Sequence, residues 1–105
     1  MKSILLLILI MPSLASAGGS YIGKIKPYFY SDGLYLIPVE SVKTDLPSCI
    51  TRPYIRLPDA VGTPEFNAKY SMILAAWMSG RTMTVVGTGD CTSEGDEKIL
   101  TLKVD

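Results

Sequence analysis

Four carboxylates lie close together in the stretch GTGDCTSEGDE, residues 87–97. Carboxylates bind calcium, transfer protons and act in pairs in glycoside hydrolysis. This stretch lacks the spacing of an EF-hand and its terminal bidentate glutamate, and its acids are scattered over a loop. We therefore predict a solvated acidic turn without a metal site, which carries Asp90, Glu94, Asp96 and Glu97.

The chain contains no histidine, the side chain that most often serves as a general base or a metal ligand. No serine or cysteine lies in a recognisable nucleophile elbow, and GTGD at residues 87–90 does not complete a GxGxxG fingerprint. We predict a protein that is not an enzyme, with no catalytic residue, no cofactor and no bound metal.

Aromatic and basic side chains on the predicted strands are the better functional candidates. Tyrosine rings stack on the apolar faces of a ligand, and arginine donates hydrogen bonds in a fixed fork. Because a small barrel must be filled, about half of the tyrosines should belong to the core. The predicted ligand surface, suited to a sugar, consists of Tyr28, Tyr30, Tyr35, Arg52, Tyr54 and Arg56.

The N-terminus has the three parts of a secretory signal peptide. Lys2 supplies the basic part, residues 4–11 are an unbroken apolar run, and Ala15-Ser16-Ala17 is a small-x-small cleavage site. The run is shorter than the roughly 20 residues that span a bilayer, although an N-terminal anchor is the alternative. We predict a signal peptide at residues 1–17, which suits bacterial export, and a single domain at residues 18–105. The product would be periplasmic or secreted, without stable membrane insertion after cleavage.

Export determines how the two cysteines are interpreted. In an oxidising compartment Cys49 and Cys91 should form a structural disulfide, since neither CxxC spacing nor a histidine indicates redox or metal chemistry. Closing this loop is worth about 4 kcal/mol in unfolded-chain entropy. Lys2 is one of ten basic residues, so nine remain in residues 18–105 against ten acidic ones. With no basic run to neutralise phosphates, nucleic acid is not an expected partner.

Alternation and turn residues predict five strands. Ser31-Asp32-Gly33 separates two aromatic and β-branched runs as in a β-hairpin, and Pro27 and Pro38 should lie at strand ends, edges or bulges. Residues 50–57 alternate as a third strand, interrupted or made an edge by Pro53, and TMTVVGT and KILTLKV form the last two. With one helix between the third and fourth strands, the order β-β-β-α-β-β predicts a mostly β protein. Its fold would be a five-stranded barrel like the oligonucleotide/oligosaccharide-binding (OB) fold; an open α+β sandwich also fits.

The predicted helix begins at Thr63-Pro64-Glu65, which supplies an N-cap, a proline at the first helical position and an acid beside the positive dipole end. It ends at Gly80, in the left-handed conformation. Helical spacing predicts a core face of Phe66, Tyr70, Ile73 and Trp77, with Leu74 beside it.

The opposite face of this helix carries small or apolar side chains in place of the usual lysines and glutamates. Such a face is either exposed or packed against a second copy of the chain. The predicted subunit contact consists of Ala68, Met72, Ala75 and Ser79.

The segment KYSMILAAWMSGRTMTVVG, an apolar helix followed by Ser-Gly-basic and a Thr/Val strand, resembles the B subunits of bacterial AB5 toxins. The likeness is to the subtilase-cytotoxin and pertussis-like branch, and Cys91 in the following loop extends it. It covers about the C-terminal half by local pattern and the rest by strand order, and related small exported bacterial OB-fold proteins share it. The resemblance implies a ring, usually a pentamer, with carbohydrate recognition on the barrel surface. No binding residue of the family is carried over.

Two functions are therefore expected. The first is a non-enzymatic exported binding protein, which assembles as a homo-oligomer through the helix and takes a glycan or a protein ligand. The alternative is a monomeric periplasmic accessory or inhibitor protein, which acts by protein–protein contact through one loop or sheet edge.

Overall fold

The computed structural model describes residues 18–30 and 33–105. The predicted signal peptide, residues 1–17, lies outside them. The elements are β1 (Ser20–Tyr30), β2 (Gly33–Thr44), β3 (Ile55–Arg56), α1 (Pro64–Met78), β4 (Met83–Cys91) and β5 (Glu97–Val104). This confirms the predicted order β-β-β-α-β-β. No helix in these two ranges combines the length and hydropathy needed to cross a bilayer.

The five strands form one sheet that closes on itself in the order β1-β2-β3-β5-β4. All neighbours are antiparallel except β3 and β5, which are parallel. The ring closes where Ser20–Gly23 of β1 pairs with β4. The closed, barrel-like sheet is therefore confirmed, and the open sandwich is excluded.

The long β1–β2 hairpin dominates the sheet, with partners from Ser20 and Thr44 to Tyr30 and Gly33. The two turn residues, 31 and 32, lie outside the described ranges. Pro27 lies beyond the part of β1 that pairs with β4, and Pro38 beyond the part of β2 that pairs with β3. Each proline thus occupies a stretch that is paired on one side only, where a missing N–H is tolerated.

The third strand is much shorter than predicted. The prediction covered residues 50–57, but only Ile55 and Arg56 form a ladder. Pro53 cannot donate to a ladder, and the backbone N–H of Thr51 donates to Gly95 O at 3.0 Å. The segment before Ile55 is therefore bound to the β4–β5 loop and does not continue the strand. The predicted disulfide between Cys49 and Cys91 is present, with a Cα–Cα distance of 6.0 Å, and joins the same two segments.

The caps of α1 are as predicted. The hydroxyl of Thr63 accepts from Phe66 N at 3.2 Å, directly before Pro64. At the other end Gly80 has φ +71°. Arg81 N donates to Ala76 O at 2.8 Å and Gly80 N to Trp77 O at 3.1 Å, the paired bonds of a Schellman motif.

The core face of α1 is rotated from the predicted one. Phe66 and Ile73 are buried as expected, but the third buried residue is Ala76. Trp77 is only partly buried and does not belong to the core cluster, and Leu74 is 37% exposed. The prediction of Trp77 as a core residue was therefore wrong. The small Ala76 allows close approach on the side where the indole was expected.

The barrel core consists of inward-facing strand residues and these helix residues. Its buried members are Tyr21, Ile25, Leu34, Leu36, Ile55, Leu57, Phe66, Ile73, Ala76, Met83, Val85 and Ile99. Phe29 of β1 contacts the helix, with ring centroids 5.9 Å from Phe66 and 5.5 Å from Tyr70. The far end of β1 is therefore held on one face by α1, which leaves its other face available.

Candidate functional site

The available face of the β1–β2 hairpin carries tyrosines. Ile25 points into the core, so side chains at positions 28 and 30 point outward by strand alternation, and Tyr28 and Tyr30 are 39% and 53% exposed. Tyr35 of β2 lies opposite Tyr28 in the antiparallel register. Its neighbours Leu34 and Leu36 enter the core, so Tyr35 takes the outer face. Tyr54 comes directly before β3.

These four tyrosines form a closed ring of contacts. Ring centroids are 6.0 Å apart for Tyr28 and Tyr30, 6.1 Å for Tyr30 and Tyr35, 6.0 Å for Tyr35 and Tyr54, and 6.2 Å for Tyr54 and Tyr28. All four separations fall in the range of favourable aromatic pairs. With Arg52 they line a pocket of about 150 Å³, a volume that accommodates one benzene-sized ring.

Arg52 supplies the charge at this pocket. Its guanidinium carbon lies 5.3 Å from the ring centre of Tyr54 and 5.7 Å from that of Tyr35, within cation–π range. Its Nε donates to Oδ1 of Asp96 at 3.0 Å, and its Nη2 donates to Oδ2. These hydrogen bonds raise the pKa of the Arg52 guanidinium. The Arg52 guanidinium is thus positively charged and held in one orientation against the tyrosine rings.

Asp96 is held from its own loop. It is fully buried, and its backbone N–H donates to the hydroxyl of Thr92 at 3.3 Å. Thr92 N donates in turn to Asp96 O at 2.8 Å, and Gly95 N to Thr92 O at 3.0 Å. The tight turn between β4 and β5 therefore places this carboxylate under Arg52.

Arg56, the sixth predicted surface residue, supports the pocket without lining it. It lies opposite Tyr35 in the β2–β3 register, its Nη1 donates to the Tyr35 hydroxyl at 2.9 Å, and its guanidinium carbon is 4.8 Å from the Tyr35 ring centre. A Cβ on Gly33 would overlap this guanidinium. The absence of a side chain at Gly33 thus makes room for Arg56 beside Tyr35.

The prediction of a solvated acidic turn was wrong for two of its four residues. Asp90 and Glu94 are exposed, but Asp96 and Glu97 have no exposed surface. Their sequence context is polar and glycine-rich, which is typical of a solvated loop. The available signal was the brevity of the Thr92–Gly95 turn, which places Asp96 directly before β5 and Glu97 at its start. In the two described ranges, no group of three potential metal-binding side chains occurs.

Glu97 lies on the inner side of the sheet, where neutral groups surround it. Its Oε1 accepts from the Tyr21 hydroxyl at 2.6 Å. Its Oε2 accepts from Gly19 N and Gly89 N, both at 2.9 Å. Burial, and then the hydrogen bond to Glu97, raise the pKa of Tyr21. This carboxylate is a second, separate feature that sequence reasoning missed.

The structure differs from the predicted subunit contact on α1 at one of its four residues. Ala68, Ala75 and Ser79 are exposed, whereas Met72 is partly buried and packs against the core. Met72 therefore does not belong to the outer face. That face instead includes Leu74 and Met78, and Met78 is 76% exposed.

Comparison of the chain with protein-family models, with curated proteins and with solved structures found no match. The function must therefore be argued from the site itself.

Proposed function

We propose that this protein is a non-enzymatic, exported binding protein that takes one sugar ring of a glycan in the pocket of Tyr28, Tyr30, Tyr35, Tyr54 and Arg52. The observation that carries the proposal is the closed ring of four tyrosines, which offers apolar faces around a volume of about 150 Å³. The two buried carboxylates are engaged in hydrogen bonds, which favours binding over acid–base chemistry.

A sugar suits the pocket because its ring has both apolar C–H faces and polar hydroxyls. Aromatic faces favour the first, and phenol hydroxyls both donate and accept hydrogen bonds with the second. Arg52 uses two of its five N–H groups on Asp96, and its side chain is 33% exposed. Arg52 also shares a side-chain hydrogen bond with Tyr35, and the N–H groups that Asp96 and Tyr35 leave are donors for a ligand hydroxyl or carbonyl, in an orientation set by Asp96.

A second part of the proposal is self-assembly through α1. The outer face of the helix bears Ala68, Ser71, Leu74, Ala75 and Met78, with no charge among them. An uncharged face with an exposed methionine favours packing against another protein surface. The competing function is a monomeric periplasmic accessory or inhibitor protein, which would act by protein–protein contact through one loop or sheet edge.

The first test is glycan-array binding followed by titration of the best ligand. Tyr30→Ala removes an exposed ring from the pocket and should weaken affinity about tenfold, which corresponds to about 1.4 kcal/mol of lost ring contact. Phe29→Ala is the matched control, because Phe29 is 50% exposed in the same strand but faces the helix. Circular dichroism should show that both variants are folded.

Failure of the wild-type protein to bind any arrayed glycan would overturn the carbohydrate proposal. Equal affinity loss in the two variants would place the ligand elsewhere. Native mass spectrometry tests the assembly part separately, since Ala75→Glu introduces a charge on the outer helix face and should dissociate an oligomer while the fold persists. A wild-type monomer at high micromolar concentration would overturn assembly without affecting the sugar pocket.

A further inference from the structure

Glu97 is a buried carboxylate without a positive partner in the part of the chain that the structure describes. Its hydrogen bonds come from two backbone N–H groups and one tyrosine hydroxyl, all neutral. These donors supply hydrogen bonds but no positive charge. Burying an ionised carboxylate without a counter-charge is costly, and the environment of Glu97 therefore suits an added cation.

Gly18 lies against Oε2 of this carboxylate. It is buried, and a Cβ at Gly18 would overlap Oε2 of Glu97 and the carbonyl group of Gly87. The nitrogen of Gly18 is two bonds of about 1.5 Å from that Cβ position, which places it within about 5 Å of Oε2. Gly19, the next residue, already donates its N–H to the same oxygen. Gly18 and Gly19 are thus both held against the carboxylate.

Gly18 is also the residue that follows the predicted cleavage motif Ala15-Ser16-Ala17. Before cleavage its nitrogen is a neutral amide. Hydrolysis of the Ala17–Gly18 peptide bond by a protease consumes one water. The water oxygen joins the Ala17 carbonyl as a carboxylate, and both hydrogens go to the Gly18 nitrogen, which becomes an ammonium.

We propose that cleavage after Ala17 creates a buried ion pair between the new α-ammonium of Gly18 and the carboxylate of Glu97, which completes the inner side of the barrel. The ammonium brings a positive charge to the side of Glu97 that faces Gly18, where Oε2 otherwise accepts from two neutral N–H groups. The absence of a side chain at Gly18 is required, since any Cβ would occupy the space of Oε2. The mature chain is therefore more stable than a chain that keeps residue 17.

The sign of the pH dependence follows from this pairing. Contact with Glu97 raises the pKa of the Gly18 α-amino group above its ordinary range of about 7.7–8.0. A group with a raised pKa in the folded state contributes its full stability below the unfolded pKa and loses it as pH rises through the folded pKa. The extra stability is present at pH 7 and declines above about pH 8.

The experiment compares oxidised chains 18–105 and 17–105, each released from a fusion by a protease that leaves no extra residue. Chain 17–105 is a matched control, because it keeps a terminal ammonium but displaces it by one residue. NMR titration of the ¹⁵N-labelled Gly18 amine in chain 18–105 should give a pKa above about 8. Urea unfolding at pH 7 should show a folding constant at least about tenfold lower for chain 17–105, a difference that shrinks above the measured pKa.

A steric effect of Ala17 would give a stability difference that does not change with pH, and that result would overturn the ion pair. An α-amino pKa within the ordinary range, or equal unfolding midpoints for the two chains at pH 7, would overturn it as well. Glu97→Gln in both chains should remove the pH-dependent difference. Where that variant does not fold, the NMR titration of the wild-type chain decides alone.

Discussion

Asp96 and Glu97 are neighbours in the chain, yet they serve opposite sides of the sheet. Both are fully buried. Asp96 faces the outer side, where the charged fork of Arg52 neutralises it beneath the tyrosine pocket. Glu97 faces the inner side, where backbone amides and Tyr21 solvate it. Because side chains alternate along a strand, one short acidic sequence builds a ligand-supporting ion pair and an internal anchor.

The difference shows what each kind of burial contributes. An arginine pair at a partly exposed site fixes a donor geometry that a ligand can use. A carboxylate bound by amides from separate segments instead connects those segments. Glu97 joins the chain before β1 to the far part of β4. We therefore expect Glu97 to govern stability and Asp96 to govern binding.

The largest expected effect comes from Glu97→Gln, which disrupts the hydrogen bonds on the inner side of the sheet. The amide NH₂ of glutamine cannot accept from the Tyr21 hydroxyl or from the Gly19 and Gly89 N–H groups, so at least one buried donor loses its partner. We expect the free energy of unfolding to fall by about 3 kcal/mol, measured by urea titration. The control is Glu94→Gln, an exposed acid in the same loop, and a loss of equal size there would contradict the distinction.

A smaller effect on stability, but a larger one on binding, is expected from Asp96→Asn. The substitution removes the charge that fixes Arg52, and the guanidinium should then leave the orientation set by Asp96. Affinity for the glycan identified on the array should fall about tenfold, while the unfolding midpoint changes less than in Glu97→Gln. Asp90→Asn, at an exposed position nearby, should leave both quantities unchanged. Unaltered affinity in Asp96→Asn would show that Arg52 does not contact the ligand.

The smallest effect concerns Tyr21 and is confined to alkaline solution. Its pKa is raised above the ordinary value of 10.0 by burial and by Glu97, so the folded state keeps a proton that the unfolded state loses. The contribution is complete below pH 10 and is lost as pH rises. Tyr21→Phe should be less stable than wild type at pH 7, because one donor to Glu97 is absent, but its stability should fall less steeply above pH 10. Equal slopes in the two proteins would contradict the raised pKa.

The elements of the fold were predictable where local chemistry determines them. Gly33 marked the hairpin, and Thr63 with Pro64 and Gly80 marked both ends of the helix. Each of these residues suits the backbone conformation or hydrogen bonding needed at its own position. The third strand was overpredicted, since alternation at residues 50–57 does not reveal that Thr51 bonds to the β4–β5 loop. Trp77 was misplaced because a helical wheel does not show that small Ala76 takes the contact.

The pocket residues were predictable by type but not by arrangement. Tyrosines and arginines on or beside the predicted strands identified the five side chains that line it, although Tyr35 is buried. The sequence did not indicate that Arg56 only supports Tyr35, since this depends on the β2–β3 register. Nor did it indicate the burial of Asp96 and Glu97, because their partners Arg52, Tyr21 and Gly19 lie more than forty residues away in the chain.

The two-residue strand β3 makes the closed sheet unequal around its circumference. In the described ranges Ile55 and Arg56 are the only ladder residues between β2 and β5, with one further backbone bond from Leu57 N to Leu34 O. The β1–β2 hairpin, in contrast, pairs along most of its length. Local opening needs the least free energy where few hydrogen bonds must break. We therefore expect the barrel to open most readily at β3, and we call this place the seam. The disulfide from Cys49 to Cys91 limits how far that seam can part. Tyr54 and Arg52 lie between Cys49 and β3 in the chain, so the disulfide and the Arg52–Asp96 ion pair together hold this wall of the pocket in place.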